Sequence, residues 1–328
     1  MPKISFWVGE GALFSGVAML MDAFSIANLW HRAFTGEKSA TLFQAEILTT
    51  DGAPVQAYGG LPVMPHGAVD AANPTDCLII SPFIPNVTPM PGNLDPIADW
   101  IHALRHRKTP IATSCTGTFF LAEMGLLDGK TATTNWQYAR LFQKRYPRVR
   151  LCPQLMMTED DGILCTGAAT AVYHLGLHLI RLFGSNELAN AASKALLVDP
   201  NRNSQIPYVV SRPLKNHGDA QVLTAQQFIE ANYAAIDTID AVARNVGISP
   251  RHFKRRFKSA TGELPLKYLQ QIRIDAAKEK LETTRDTIEE ITWAVGYSDV
   301  SSFCRLFKQY TEISPSAYRE KFFIPAAG

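Results

Sequence analysis

Cysteine is scarce, with five in 328 residues, and no two form a Cys-x-x-Cys pair. Cys77, Cys115, Cys152, Cys165 and Cys304 are odd in number and widely spread, which speaks against a disulfide framework and against zinc. No metal and no cofactor is read from the sequence. Long apolar runs are missing as well: AVYHLGLHLIRLF (171–183) is broken by His174, His178 and Arg181, well short of the roughly 20 residues a membrane span needs. The opening MPKISFWVGEGALFSG lacks the basic region and long apolar stretch of a secretion signal. A cytoplasmic protein with no membrane partner is expected. Charged residues make up only 19% and the net charge is +2, which by itself says little about partners; the 46% hydrophobic content is enough to fill one large or two ordinary cores.

What charge there is lies unevenly. Residues 241–262 carry Arg244, Arg251, Lys254, Arg255, Arg256 and Lys258 and not one acid. Ahead of this region, from Lys3 to about Phe183, short β-branched or apolar runs (KISFWV, TLFQAEILTT, DCLIISPF, TPIATSC, DGILCTG) alternate with helical patterns at 95–107, 117–124, 137–146 and 169–183. Strands alternating with helices predict a doubly wound α/β domain with a mostly parallel sheet. A further helix is read at 187–197. The aperiodic DPNRNSQIPYVVSRPLKNHGDA then marks the end of a first domain, 1–210, and a linker, 211–218, before a second domain, 219–328.

The second domain is helical throughout and repeats itself. Ile239, Val242, Ala243 and Val246 recur 49 residues on as Ile288, Ile291, Thr292 and Val295, each set followed by a glycine, Gly247 or Gly296. One residue is then gained. Phe253, Phe257, Lys258, Thr261, Pro265 and Tyr268 recur 50 residues on as Phe303, Phe307, Lys308, Thr311, Pro315 and Tyr318. Each copy reads as helix, glycine turn, helix, with Ser249–Pro250 and Thr287–Glu290 as helix starts. In the first copy Phe253 and Phe257 fix the buried face, so Arg251, Lys254, Arg255 and Lys258 project from the other side, as a helix entering a DNA major groove requires. On charge alone a merely solvated basic helix is the commoner arrangement, but the second copy again sets an arginine, Arg305, between two core phenylalanines, with Ser301, Ser302 and Cys304 nearby.

At GYSDVSSFCRLFKQYTEISPSAYR (Gly296–Arg319) the chain resembles the AraC/XylS family of transcription regulators, over about Ala220–Phe323. The resemblance implies two helix-turn-helix units joined by a long helix, about Pro265–Glu282, that set recognition helices into successive major grooves of a double-stranded operator. By position it implies base-facing roles for Arg251, Lys254 and Arg255, and for Val300, Ser301, Cys304 and Arg305. One departure is Glu312, where the family has glycine and the first copy keeps Gly262.

In the first domain, strand TPIATS runs into Cys115 and then Thr116-Gly117-Thr118 at a helix start, a strand-to-helix elbow with a thiol at its tip. Helix N-terminal N–H groups are expected to lower the pKa of such a thiol; a small buried residue at a tight turn is the plainer alternative. The segment IATSCTGTFFLAEMGLLDGKTATTNW (Ile111–Trp136) resembles the elbow of PfpI-type amidase-like domains of the class I glutamine amidotransferase-like superfamily, over about Lys3–Phe183, in the subgroup fused to AraC-type domains. That implies a flavodoxin-like, amidotransferase-like fold and a cysteine paired with histidine and an acid. Here Thr116 follows the cysteine, Asn135 replaces histidine in TTNW, and the acidic position of the first helix falls on Gly16, with Asp22 nearby.

With no base in sight, a binding pocket derived from an enzyme is the expectation, and no catalytic residue is assigned. Cys115, Thr116 and Gly117 would seat an anionic group, Asn135 and Trp136 would form a wall, and the Gly167-Ala168 turn would face the same crevice. Trp136 fits a plain core residue equally well. His174 and His178 read as core or surface histidines and not as metal ligands. The resemblance thus implies an effector-controlled transcription activator that recruits RNA polymerase as a homodimer, with a nitrogenous metabolite as effector, as its relatives suggest. The alternative is a thiol-dependent amidase or glyoxalase fused to a DNA-binding domain.

Overall fold

The computed structural model describes residues 1–83, 95–210 and 215–324, which divide into two compact units, Met1–Gln205 and Ile206–Gly328. Ile206–Tyr208, inside the 1–210 range read for the first domain, groups with the second unit, and part of the 211–218 linker lies outside the described residues.

The first unit runs β1 (Lys3–Trp7), α1 (Ser15–Thr35), β2 (Gln44–Thr49), β3 (Val55–Gln56), β4 (Pro62–Val63), β5 (Gly67–Ala68), β6 (Cys77–Ile80), α2 (Asp95–His106), β7 (Ile111–Ser114), α3 (Gly117–Glu123), β8 (Thr131–Ala132), α4 (Ala139–Arg145), β9 (Arg150–Leu151), β10 (Met157–Asp160), β11 (Ile163–Thr166), α5 (Val172–Phe183) and α6 (Asn186–Ala195). Seven strands form one sheet in the order β10-β11-β7-β6-β1-β2-β5. Its paired strands are parallel except β10, which folds back on β11 through Asp161 and Gly162, both at positive φ as a two-residue hairpin requires.

The central strands explain themselves. Every residue of β6 (CLII), β7 (IATS) and β11 (ILCT) is buried, the pattern of strands covered on both faces rather than one. In α1 the buried positions Val17, Leu20, Phe24 and Ala27 repeat at helical spacing, and the helix packs on α5 and α6. Because β1 is flanked by β2 on one side and β6 on the other, the chain reverses its direction of winding there. The C-terminal ends of β1, β6, β7 and β11 therefore open onto the crevice where open α/β sheets bind ligands.

The second unit contains α7 (Ala220–Asn232), α8 (Ile239–Asn245), α9 (Pro250–Thr261), α10 (Pro265–Thr283), α11 (Ile288–Ala294), α12 (Val300–Thr311) and α13 (Pro315–Phe322). It has two separate apolar cores. Ile229, Val242, Phe253, Phe257 and Tyr268 belong to the first, and Ile291, Phe303, Phe307 and Tyr318 to the second. Helix α10 supplies both, with Tyr268 and Leu269 in one and Ile274, Ala277 and Leu281 in the other. The expected capping box at Thr287 and Glu290 is present. The expected cap at Ser249 is not: its backbone has N-cap dihedrals, but its hydroxyl accepts no helix N–H, and α9 starts on Pro250 alone.

The two copies share a left-handed helix end but fill it with different residues. Gly262 ends α9 at φ +85° and Glu312 ends α12 at φ +64°. A side chain in the left-handed region costs about 1 kcal/mol, which glycine avoids. Glu312→Gly is thus expected to stabilise the protein by about that amount, and a thermal midpoint that stays level or falls would show that the strain is absent.

Candidate functional site: two recognition helices and a thiol elbow

In each half of the second unit two phenylalanines one helical turn apart anchor the helix that follows the glycine turn. Phe253 and Phe257 have ring centroids 5.5 Å apart, and Phe257 meets Tyr268 at 5.3 Å; Phe303, Phe307 and Tyr318 repeat this ladder at 5.7 and 5.5 Å. The polar contacts repeat too. Tyr268 donates to Glu230 and Tyr318 to Glu282, each at 2.6 Å, and burial followed by the carboxylate partner pushes both phenols well above their ordinary range.

With that face locked, Arg251, Lys254, Arg255 and Lys258 stand exposed on α9. Lys254 pairs with Asp240 of α8 at 3.1 Å, a half-exposed contact that is cheap to break. Arg256, in the middle of the same basic run, faces elsewhere. Its Nε donates to Asp219 at 2.5 Å and its guanidinium to Gln221, tying α9 to the start of α7. On α12, Ser301 and Arg305 are exposed and Val300 and Cys304 half-buried; Arg305 donates to Ser302 at 3.2 Å. The structure thus brings the sequence-selected residues of each copy onto one exposed helix face.

The elbow of the first unit has the expected backbone and an unexpected electrostatic state. Cys115 sits at φ +54° between β7 and α3, with its N–H bonded to Thr166 O at 2.9 Å. A non-glycine residue at positive φ is strained backbone, which neighbouring contacts hold in place. Gly117 is required beside it: a Cβ there would lie 2.1 Å from Thr113 Oγ1 and 3.1 Å from Ser81 O, so α3 could not close onto the sheet. The thiol is 3% exposed. Burial raises its pKa, and the hydrogen bonds from Asn135 and Thr116 that oppose this do not overcome it. The expectation of a lowered pKa is therefore corrected: desolvation outweighs the helix start. Iodoacetamide is expected to label Cys115 slowly in the native protein and promptly after denaturation, read by mass spectrometry; fast native labelling would contradict the burial.

Among the described residues, the groups hydrogen-bonded to the thiol are uncharged. Asn135 Nδ2 lies 3.6 Å from Cys115 Sγ, while its Oδ1 accepts from Gln137 N at 3.0 Å and starts the turn that carries the half-buried Trp136. Thr116 Oγ1 donates to Phe83 O at 2.6 Å and accepts from Phe83 N at 3.0 Å. A Cβ built on Gly16 would lie 3.8 Å from Ser114 Oγ and 3.5 Å from Val172, so the expected acidic position does border the elbow and is empty of a side chain.

Gly167 and Ala168 are occupied by a residue that sequence reasoning missed. Gln205, 2% exposed, accepts from Ala168 N at 3.0 Å and donates from Nε2 to Thr134 O, Pro153 O and Leu155 O at 2.9–3.0 Å. A Cβ on Gly167 would fall 2.2 Å from this amide. Its location in the Pro- and Asn-rich stretch read as the approach to a linker hid it, since such segments ordinarily stay on the surface. No helix among the described residues is long and apolar enough to cross a membrane, and no cluster of metal-ligating side chains occurs among them.

Comparison with known proteins agrees with both halves. A helix-turn-helix domain family matches residues 242–321. The HTH-type transcriptional regulator CdhR of Pseudomonas aeruginosa is 26% identical over 309 residues, which cover 93% of this chain and 87% of that protein. Among solved structures, an AraC family transcriptional regulator from Pseudomonas putida (TM-score 0.50, 21% identity) and DJ-1beta of Drosophila melanogaster (TM-score 0.51, 14% identity) each match 60% of the chain, and 100% and 98% of their own, which establishes the shared fold. A helix-turn-helix domain at residues 242–321 thus follows a domain that shares its fold with DJ-1beta, in a chain similar over most of its length to an HTH-type transcriptional regulator.

Proposed function

We propose that the protein is a sequence-specific transcription regulator, acting as an activator, in which a catalytically silent first domain senses a small metabolite and the second reads a double-stranded operator. The observation that carries this is the doubled recognition helix: the same aromatic anchor twice, each time with an arginine on the exposed face. Arg251, Lys254, Arg255 and Lys258 would meet one major groove, and Val300, Ser301, Cys304 and Arg305 the next. The effector, an anionic nitrogenous metabolite, would rest against Cys115, Thr116 and Gly117, with Asn135 and Trp136 beside it. RNA polymerase and a second copy of the chain are the partners this reading requires.

The same geometry favours sensing over turnover. Among the described residues, the groups hydrogen-bonded to the thiol are a neutral amide and a threonine, neither of which can take its proton at neutral pH. Retention of the strained elbow at Cys115 is the observation that favours the second reading, a thiol-dependent amidase or glyoxalase. The test is a metabolite screen by thermal shift on the purified chain, with hits measured by calorimetry against wild type and Trp136→Ala and by operator footprinting. Affinity reduced in Trp136→Ala, with no chemical change in the ligand, supports the proposal. Turnover that Cys115→Ala abolishes establishes the enzyme.

A further inference from the structure

Away from the elbow, the first unit contains a cleft of about 630 Å³ between α5, α6, the start of β10 and the segment 199–203, a size typical of small-molecule sites. Its apolar wall includes Leu155, Met156 and Leu177, and its polar wall His174, His178 and Arg181. The two histidines, one helical turn apart on α5, have definite tautomers. His174 Nε2 lies 3.1 Å from the Asp199 carbonyl oxygen, so it carries the proton and Nδ1 is left as an acceptor. His178 Nδ1 lies 3.1 Å from Arg181 Nη2, which can only donate, so the proton of His178 is on Nε2. Both remaining ring nitrogens, His174 Nδ1 and His178 Nε2, are buried without a hydrogen bond, the latter 3.4 Å from the Glu159 carboxylate. Burial lowers the pKa of both imidazoles, in keeping with these neutral tautomers.

Unpaired buried polar atoms are costly, and here one is an acceptor, the other a donor, and a guanidinium stands beside them. At the mouth lies Asn186, the first residue of α6, where the helix dipole favours negative charge. We infer that this cleft is a second ligand site, separate from the elbow, for a small carboxylic acid bearing a hydroxyl or amino group on its second carbon and an apolar tail. The carboxylate is held by Arg181 and the start of α6, the neighbouring donor is taken by His174 or Glu159, and the tail lies on Leu155, Met156 and Leu177. The cleft also borders the last residues of the unit. Pro200 and Asn203 line the cleft, Asn203 O accepts from Met156 N, and two residues later Gln205 ends the unit.

The test is calorimetry on the full chain with L-leucine, 2-hydroxy-4-methylpentanoate and 4-methylpentanoate. At least one of the first two is expected to bind at millimolar concentration or below, and 4-methylpentanoate, lacking the donor, about tenfold more weakly. Arg181→Gln changes an exposed residue and should keep the fold while weakening binding about tenfold; Ala189→Phe, which fills the cleft, should abolish it. No detectable binding of either donor-bearing acid overturns the assignment. So does binding that survives both variants, or that is lost instead in Trp136→Ala, which would return the ligand to the elbow.

Discussion

Gly296→Ala is expected to destabilise the second helix-turn-helix by about 3 kcal/mol or more, and with it to abolish specific operator binding. Two penalties coincide at this residue. Its φ is +88°, and a Cβ would lie 2.4 Å from the Ala234 carbonyl oxygen, a backbone atom that cannot rotate away. The equivalent Gly247, at φ +67°, has open space where its Cβ would be, so Gly247→Ala should cost only the strain, about 1 kcal/mol. Urea unfolding of the two variants measures the difference directly. Equal losses would mean that the turn of α11 and α12 is not packed against Ala234.

Arg251→Ala and Arg255→Ala are expected to weaken operator binding by about 1–3 kcal/mol each and to relax preference at single base positions, because a bidentate arginine–guanine contact supplies both affinity and readout. Lys258→Ala should instead lower affinity evenly across sequences and reduce its dependence on salt, as loss of a phosphate contact does. Arg256→Ala is the informative contrast. That residue lies in the same basic run but is bonded to Asp219 and Gln221, so its loss should appear in thermal stability with base preference intact. Footprinting in which Arg251→Ala and Arg255→Ala keep the parent sequence preference would sink the assignment.

The basic run illustrates what the sequence made legible. Phe253 and Phe257 at helical spacing, repeated as Phe303 and Phe307, were enough to place the buried face and hence the exposed cations. The same arithmetic located the extra residue of the second turn: four residues separate α8 from α9 and five separate α11 from α12. Periodicity also exposed β6, β7 and β11, whose unbroken burial leaves a plain apolar signature. What stayed hidden depends on contacts distant in sequence. Gln205 reaches Thr134 and Ala168, 71 and 37 residues away, and nothing in its neighbours announces it. The state of Cys115 is hidden for a related reason: a helix start is visible in sequence, but the burial that outweighs it is not. His174 and His178 could be seen as a pair, yet only the folded cleft shows which nitrogen of each is spoken for.

Helix α10, whose 19 residues serve both apolar cores, acts as a ruler with an angular scale. At a rise of about 1.5 Å and a turn of about 100° per residue, one inserted residue would lengthen it only slightly but swing the second core far out of phase with the first. The spacing and phase between α9 and α12 are consequently locked together. If α9 and α12 read bases as proposed, exchanging their exposed side chains would alter which bases are read, whereas a small insertion in α10 would not slide one helix along the DNA without also rotating it. On the proposed reading, the interval between the two halves of an operator would stay fixed while their base identities vary.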